Sequence, residues 1–249
     1  MIKISIIIPY FRNFKFFKKT IKSVLGQSYQ DYEVIIIYDD PEKKELHFLK
    51  KLIANKKKIK LLINQNNLGA GPSRNKGAKI SNGKYLAFID SDDLWSKNKL
   101  KNQLSFMEKL KINISHTSYS VINKDNKFLS KRKAKKKLVY KNLLNSCDIG
   151  LSTVILKKNL FNKYKFSSNK TKEDYSLWLK ISKKEAIYGL NEYLTKWRRT
   201  NKSLSSNLFQ KLIDAYLIYY KQEKFNFLYS LYRTIILSIF YLKKEKLKF

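Results

Sequence analysis

The sequence predicts an α/β fold in which helices flank a mostly parallel central sheet. Short apolar runs alternate with amphipathic stretches from residue 1 to about residue 94, and this alternation is typical of strand–helix units. The chain has 249 residues, of which 43% are apolar and 14% aromatic, so it is long and apolar enough to bury a core. The single cysteine, Cys147, excludes an intramolecular disulfide, and with two histidines it excludes the usual zinc-ligand spacings.

The first half is predicted to contain four strands and three helices. Helical spacing of apolar residues predicts helices over 17–25 and 46–53. We expect Pro72 to be the first residue of a third helix, ending near Ile80, because a proline at that position lacks only an N–H that would have no partner. The strands are the apolar runs 4–8, 34–38, 59–63 and 85–89.

The pattern is looser after residue 95. Ser96 is predicted to cap a helix that runs to Leu110, and residues 112–121 are predicted to return to the sheet. The basic stretch 131–137 is expected to form a solvated, mobile loop. Residues 174–182 show a further helical pattern.

The last segment, 207–249, is predicted to be a basic amphipathic helical tail. Residues 225–242 approach the ~20 apolar residues that a membrane span needs. Asn226 and Arg233 interrupt this run, so we interpret it as an amphipathic or docking helix. Two roles remain open for the tail: lying on an anionic membrane surface, or packing on the catalytic domain or on a second subunit.

The chain is strongly basic, with 53 Lys and Arg against 19 Asp and Glu and a net charge of +34. Only six of the basic residues are Arg, the side chain that recognises phosphate and guanine by paired hydrogen bonds. The excess is therefore mostly scattered Lys. It is explained either by a biased composition or by an anionic partner such as nucleic acid or a membrane surface.

Acidic residues, by contrast, are clustered at two strand ends. Asp39 and Asp40 follow the second predicted strand, and Asp90, Asp92 and Asp93 follow the fourth. Ligands bind outside the carboxyl ends of strands in open parallel sheets, so both clusters are expected to face one crevice. Carboxylates packed together repel unless a cation compensates, which predicts Mg²⁺ or Mn²⁺ there. The alternative is that these side chains cap helices or fill turns.

A glycine-rich segment, 67–77, lies between the two clusters. Its glycines permit close backbone approach, and Arg74 lies in the first turns of the helix that follows, which suits a diphosphate. The segment matches neither the P-loop nor the dinucleotide-binding pattern, so an ordinary turn before a helix is the alternative.

In order, these motifs resemble the nucleotide-binding half of family 2 glycosyltransferases, of the inverting, bacterial glycan-assembly type with the GT-A fold. Further along, the segment from Glu173 to Leu179 is similar to the Glu-Asp segment of that family, and 194–205 is similar to the segment that follows it. The resemblance implies a GT-A domain over 1–206, with a nucleotide-binding half, 1–95, and an acceptor-binding half, 96–206.

The resemblance also implies residue roles. Asp40 would contact the base, and Arg74 the base or phosphate. Asp90 would meet the ribose, Asp92 the metal ion, and Asp174 would be the catalytic base, because a sugar hydroxyl needs its proton accepted in the transition state. Further donor contacts would come from Pro9, Tyr10, Asn67, Gly69 and Ser91, and acceptor contacts from Glu173, Trp197 and Arg198.

A further reading of Glu173-Asp174 is a favourable charge at a helix N-terminus. One departure from the family is Pro41-Glu42-Lys43 after Asp40, where Gly-Ser-x-Asp is common.

Three functions are weighed on this basis. The first is transfer of a sugar to a hydroxyl of a glycan or lipid-linked acceptor in cell-surface polysaccharide synthesis, with a UDP-linked sugar as the expected donor. It would take place in the cytoplasm, with peripheral contact to an anionic membrane and no nucleic-acid partner. The second, a nucleic-acid-binding protein, is disfavoured by the acidic crevice. The third, a sugar nucleotidyltransferase, is disfavoured because Pro9-Tyr10-Phe11-Arg12 replaces a Gly-rich loop after the first strand.

Overall fold

The computed structural model describes residues 2–200 and 208–246. The predicted domain boundary at residue 206, the family-like Ser203-Leu204-Ser205 and residues 247–249 of the tail lie outside these ranges. Within them, helices pack on both faces of one ten-stranded sheet, as the sequence predicted. The strands are β1 (Ile4–Tyr10), β2 (Tyr32–Tyr38), β3 (Ile59–Ile63), β4 (Tyr85–Phe88), β5 (Leu94–Trp95), β6 (Ile114–Ile122), β7 (Phe128–Arg132), β8 (Lys137–Leu138), β9 (Ile155–Lys157) and β10 (Ile187–Arg198).

The sheet order is β3-β2-β1-β4-β9-β6-β10-β5, with β7 beside β6 and β8 beside β10. The first four strands of this order run parallel, as do β6 and β10, while β9 is antiparallel to both of its neighbours. The central strands β1, β2 and β4 are buried on both faces, which explains their mostly apolar sequence.

Nine α-helices occur in the described ranges. Alternate side chains of β1 face opposite sides of the sheet: Ile6 and Ile8 pack with α1, α2 and α4, whereas Ile7 packs with α3, α7 and the C-terminal helices. The helices are α1 (Phe14–Leu25), α2 (Leu46–Ile53), α3 (Ala70–Lys79), α4 (Lys99–Lys109), α5 (Tyr140–Asn145), α6 (Lys158–Lys163), α7 (Glu173–Ser182), α8 (Leu208–Leu217) and α9 (Phe227–Lys246).

Three local predictions were wrong. Helix α3 begins at Ala70, so Pro72 is its third residue and not its first; it is tolerated because first-turn N–H groups have no helical partner. Ser96 is not a cap, because the preceding residues pair with β10 and delay α4 to Lys99. Residues 131–137 are not a free loop, since part of this stretch pairs with β6 and part with β10.

The C-terminal segment is helical, as predicted, and its two α-helices are joined by a π-helix, Ile218–Gln222. Ala215, Ile218, Tyr219 and Leu237 are buried in the same core cluster as α7. Across residues 2–200 and 208–246, no helix combines the length and the apolar character needed to cross a bilayer.

Candidate active site

Parallel strands bring the predicted site residues to one edge of the sheet. The carboxyl ends of β2, β1 and β4 are neighbours. Asp40 and Asp90 follow β2 and β4, and Pro9 lies near the end of β1, so all three lie at the edge where ligands bind in such sheets. Strand β10 also ends there and brings Trp197 and Arg198 beside the loop that follows β4.

Asp39 holds the glycine-rich loop in place. Its carboxylate is buried and accepts hydrogen bonds from Asn64 Nδ2 at 2.7 Å, from the Leu68 amide at 2.9 Å and from the Gly69 amide at 2.8 Å. Gly69 has a φ of +82°, a conformation that glycine adopts without strain. The exposed Asn67 accepts a further hydrogen bond from the Gly69 amide through Oδ1. Asp39 therefore shapes this loop, and its own carboxylate is fully occupied by the protein.

Asp40 is fully buried and paired with Arg12, a residue that the sequence reasoning did not select. Arg12 Nη2 lies 2.8 Å from Asp40 Oδ1 and also contacts Glu42, which stands in the segment that departs from the family pattern. The Arg12 guanidinium lowers the pKa of Asp40 below its usual value. The adjacent Asn13 donates to Ser91 Oγ at 3.0 Å, so one loop links the two acidic clusters.

The residues at the end of β1 differ in exposure. Pro9 is half-buried, whereas Tyr10 is inaccessible to solvent and stacks on Tyr38 with ring centroids 5.5 Å apart. The Tyr10 hydroxyl donates to Glu45 Oε2 at 2.5 Å. Its side chain thus supports the edge from within, and only Pro9 of the two offers accessible surface.

Arg74 joins the nucleotide-binding half to the Glu-Asp segment. Its guanidinium donates from Nη2 to Asp90 Oδ1 at 2.6 Å and from Nη1 to Glu173 Oε1 at 2.7 Å. Arg74 is only 3% exposed and lies over the ring of Phe166 at 5.3 Å. Burial alone would lower the pKa of Arg74, but the two carboxylates raise it above its usual value. Two predicted site segments, 99 residues apart in sequence, therefore meet at one cation.

The loop 90–93 is held by Ser152, which no sequence signal singled out. Ser152 Oγ donates to Asp93 Oδ2 at 2.5 Å and accepts from the Asp90 amide at 3.0 Å. Arg198 supports the same loop, because its amide donates to Asp93 Oδ1 at 2.7 Å and its Nε donates to the Asp92 carbonyl at 2.8 Å. Arg198 is buried, while Trp197 beside it is half-buried. Arg198 thus positions the loop.

Asp92 is the carboxylate in this loop to which no side chain of the described residues donates a hydrogen bond. Burial and the neighbouring Asp90 raise the pKa of Asp92 to about 7. In residues 2–200 and 208–246, no group of three or more His, Cys, Asp or Glu side chains forms a ready metal cage. The donor set therefore fits a cation that shares one carboxylate with oxygens of a bound phosphate, as Mg²⁺ commonly does.

Asp174 lies in the first turn of α7, next to the Arg74 network. Burial and the adjacent Glu173 raise the pKa of Asp174 to about 7, and the Tyr175 amide donates to its Oδ1 at 2.7 Å. A carboxylate with a pKa near neutrality is suited to accept and release a proton. Position at a helix N-terminus, the alternative reading of this pair, is also observed.

Two cavities, of about 510 and 280 Å³, lie away from these residues. They share Lys111 and Ile112, and the larger one also contacts Lys84 and Tyr85 at the opposite, amino-terminal end of β4. None of the acidic site residues lines them, so the acidic edge is separate from both.

Sequence comparisons show which known proteins this chain is similar to. Residues 5–168 match the model of the family "Glycosyl transferase family 2". The chain is 38% identical over 211 residues to WfgD of Escherichia coli, a UDP-Glc:alpha-D-GlcNAc-diphosphoundecaprenol beta-1,3-glucosyltransferase, covering 84% of this chain and 82% of WfgD. It is 32% identical to TuaG of Bacillus subtilis, a putative teichuronic acid biosynthesis glycosyltransferase, covering 90% of each.

A structural comparison supports the same fold. The crystal structure of S. aureus TarS in complex with UDP-GlcNAc matches with a TM-score of 0.70 and 22% identity, covering 87% of this chain. The match spans 64% of the solved TarS chain, less than two thirds of it. At this identity the likeness shows the fold alone, and it confirms the α/β architecture.

Proposed function

The chain belongs to glycosyl transferase family 2, and we propose that it transfers a sugar from a UDP-linked donor to a hydroxyl of a lipid-linked glycan during synthesis of a cell-surface polysaccharide. The donor and acceptor are supported by the name of WfgD, which uses UDP-Glc and an undecaprenol-linked acceptor. Both alternatives, nucleic-acid binding and nucleotidyl transfer, are disfavoured by the family match.

One observation carries the proposal: the buried Arg74 holds Asp90 and Glu173 together. The two carboxylates with raised pKa values follow these partners closely in sequence: Asp92 is two residues after Asp90, and Asp174 comes directly after Glu173. Transfer of a sugar needs a site that stabilises a charged leaving group and a base for the attacking hydroxyl. We assign the first role to the side of Asp92 and the second to Asp174.

In the proposed reaction Asp174 accepts the proton of the acceptor hydroxyl as its oxygen attacks the anomeric carbon. The bond from that carbon to the diphosphate breaks, and the nucleoside diphosphate leaves with the electron pair. Asp92 would hold Mg²⁺ or Mn²⁺, which when bound would stabilise the negative charge of the diphosphate. Attack from the face opposite the leaving group inverts the anomeric centre.

The donor side is proposed to use the glycine-rich loop and the loop 90–93. Asp39 fixes the position of the Gly69 amide by accepting its hydrogen bond. Arg74 and Ser152 fix the orientation of Asp90 through its carboxylate and its amide. These contacts hold the polar groups before a ligand arrives, which lowers the cost of ordering them on binding.

The test is UDP release from a panel of UDP-sugars, with a lipid-linked acceptor, in the presence and absence of Mn²⁺. We expect release to require the acceptor and the cation, and to be lost in Asp92→Asn and in Asp174→Asn. Asp125→Asn, in the exposed turn 123–126, is the matched control and should retain activity. Unchanged turnover in both site variants would contradict the assignment.

We further propose that the C-terminal helices contact an anionic membrane, the inner leaflet that would carry the acceptor. Their outer surface exposes large apolar side chains, among them Phe209 at 80%, Leu228 at 74% and Tyr232 at 53%. Residues 208–246 carry seven Lys and Arg against three Asp and Glu. A bilayer with anionic head groups matches both features, because apolar side chains insert while each basic residue contributes about 1 kcal/mol.

Vesicle sedimentation tests this contact. We expect binding to vesicles that contain phosphatidylglycerol, weakened by salt, and much less binding to phosphatidylcholine alone. Leu228→Glu should reduce binding, whereas Phe128→Glu, at an exposed apolar position in β7 away from the C-terminal helices, should not. Equal binding of both variants would rule out this surface.

A further inference from the structure

Residues of the C-terminal helices form hydrogen bonds to both ends of the segment 171–176, which contains Asp174. On one side, Asp214 of α8 accepts hydrogen bonds at 2.7 Å through Oδ2 from both the amide and the hydroxyl of Thr171. On the other, Gln222 accepts from Ser176 Oγ at 2.5 Å and donates from Nε2 to the Ser176 carbonyl at 3.1 Å. The chain is thus tethered three residues before Asp174 and two residues after it.

A third contact lies directly beside Asp174. The hydroxyl groups of Tyr175 and Tyr219 are 2.7 Å apart, and Tyr175 donates to the Leu143 carbonyl at 2.8 Å. Both rings are fully buried. Tyr219 and Gln222 belong to the π-helix Ile218–Gln222, a geometry that occurs often at functional sites.

The tethered segment also contains an unfavourable backbone conformation. Lys172, between Thr171 and Glu173, has a φ of +57° and a ψ of +20°, the left-handed region that non-glycine residues rarely adopt. Such a conformation persists only where surrounding contacts hold it. Asp214 supplies two such contacts to the preceding residue, Thr171, and it is itself 4% exposed, so water competes little for these hydrogen bonds.

We propose that Asp214 and Gln222 are positioning residues that hold Asp174 at the angle and distance needed to accept the acceptor proton. Neither residue is placed among the groups that touch substrate; both act through the backbone of the segment 171–176. The inference rests on the proposed function, because it gives Asp174 the role of base. The C-terminal helices are then needed for catalysis, because they fix the backbone that carries the catalytic base.

The test compares Asp214→Ala with Asp214→Asn, and uses Gln222→Ala as a second, independent variant. Asparagine retains one oxygen able to accept both hydrogen bonds of Thr171, so it should restore most of what alanine removes. Ser238→Ala is the control, because the Ser238 hydroxyl donates to the Thr234 carbonyl within its own helix, α9. The four variants and the wild type are compared in thermal melting, in kinetics with a lipid-linked acceptor, and in amide hydrogen exchange.

We expect Asp214→Ala and Gln222→Ala to lower kcat by about tenfold to a hundredfold while KM for the UDP-sugar changes less than about twofold. The acidic limb of the pH–rate profile should also move to lower pH as Asp174 becomes more hydrated. Amide exchange should accelerate in residues 171–176 in both alanine variants and stay unchanged in Ser238→Ala. The exchange measurement does not depend on turnover.

Two results would overturn the proposal. One is a folded Asp214→Ala protein whose kcat and pH profile equal those of the wild type. The other is unchanged exchange in residues 171–176. A wild-type protein that turns over no UDP-sugar, yet shows faster exchange in the variants, would instead overturn the proposed function and leave the tether confirmed as a structural contact only.

Discussion

The Arg74 network offers the sharpest test of how the site is assembled. Replacing Arg74 with Met removes the charge but keeps most of the side-chain volume, and leaves Asp90 and Glu173 without their shared cation. Arg74 is 3% exposed, whereas the side chains of Asp90 and Glu173 are 33% and 14% exposed, so water can replace only part of what is lost.

The expected loss follows from this burial. Removing one partner of a buried ion pair costs about 3–5 kcal/mol, and the partial exposure of Asp90 places the loss near the lower value, about 3 kcal/mol. For a chain of this size each kcal/mol shifts Tm by roughly 2–4 °C, so Tm should fall by roughly 6–12 °C. Arg74→Lys should lose less, because it keeps the charge but not the planar fork that reaches both carboxylates.

A double-mutant cycle in urea unfolding isolates the contact with Glu173. The loss caused by Arg74→Met should be smaller in a Glu173→Gln background, with a coupling free energy of about 0.5–3 kcal/mol. If the two changes add to within about 0.3–0.5 kcal/mol, or if Arg74→Met alone costs under about 1 kcal/mol, the network is not what holds these segments together.

Three further predictions concern chemistry and packing. Because Asp174 must be unprotonated to accept a proton and its pKa is raised to about 7, kcat/KM for the acceptor should rise with pH through about 7; a limb near pH 4 in the pH–rate profile would contradict this. Gly83→Ala should cost about 2 kcal/mol or more in urea unfolding, since the added Cβ would lie 2.5 Å from a backbone nitrogen, while Gly150→Ala, where the nearest atom is at 3.4 Å, should stay within about 0.5 kcal/mol. Arg198→Lys should raise the Mn²⁺ concentration needed for half-maximal UDP release, because the Asp92 carbonyl loses its donor; an unchanged requirement would show that Arg198 does not position the loop.

Much of the fold was predictable because burial leaves a periodic trace in sequence. The strands 59–63 and 85–88 and the helix 46–53 lie where the apolar patterns predicted them, with ends that differ by at most one residue. The predictions failed where tertiary contacts compete with local signals. Ser96 has a good cap side chain, but pairing of the neighbouring residues with β10 overrides it.

The position of the acidic clusters was also predictable, but the partner of each carboxylate within them was not. Asp39 and Asp40 are adjacent and chemically identical, yet one holds the glycine-rich loop and the other pairs with Arg12. Which carboxylate does which depends on groups 25 to 30 residues away. The predicted contact of Asp40 with the nucleotide base and that of Arg198 with the acceptor remain predictions, and both side chains are buried in the protein without ligand.

The amino-acid sequence by itself determined where the strands end and, through the clustering of scarce acids, which edge of the sheet gathers the acidic side chains. Only the tertiary structure decided that Arg74 meets Glu173, that Ser152 braces the loop 90–93, and that Asp214 and Gln222 hold the segment around Asp174. The physical reason is the separation of these partners along the sequence. Periodicity records how each residue is buried relative to its near neighbours, whereas these partners lie 43 to 99 residues apart and meet only when the sheet and helices have packed.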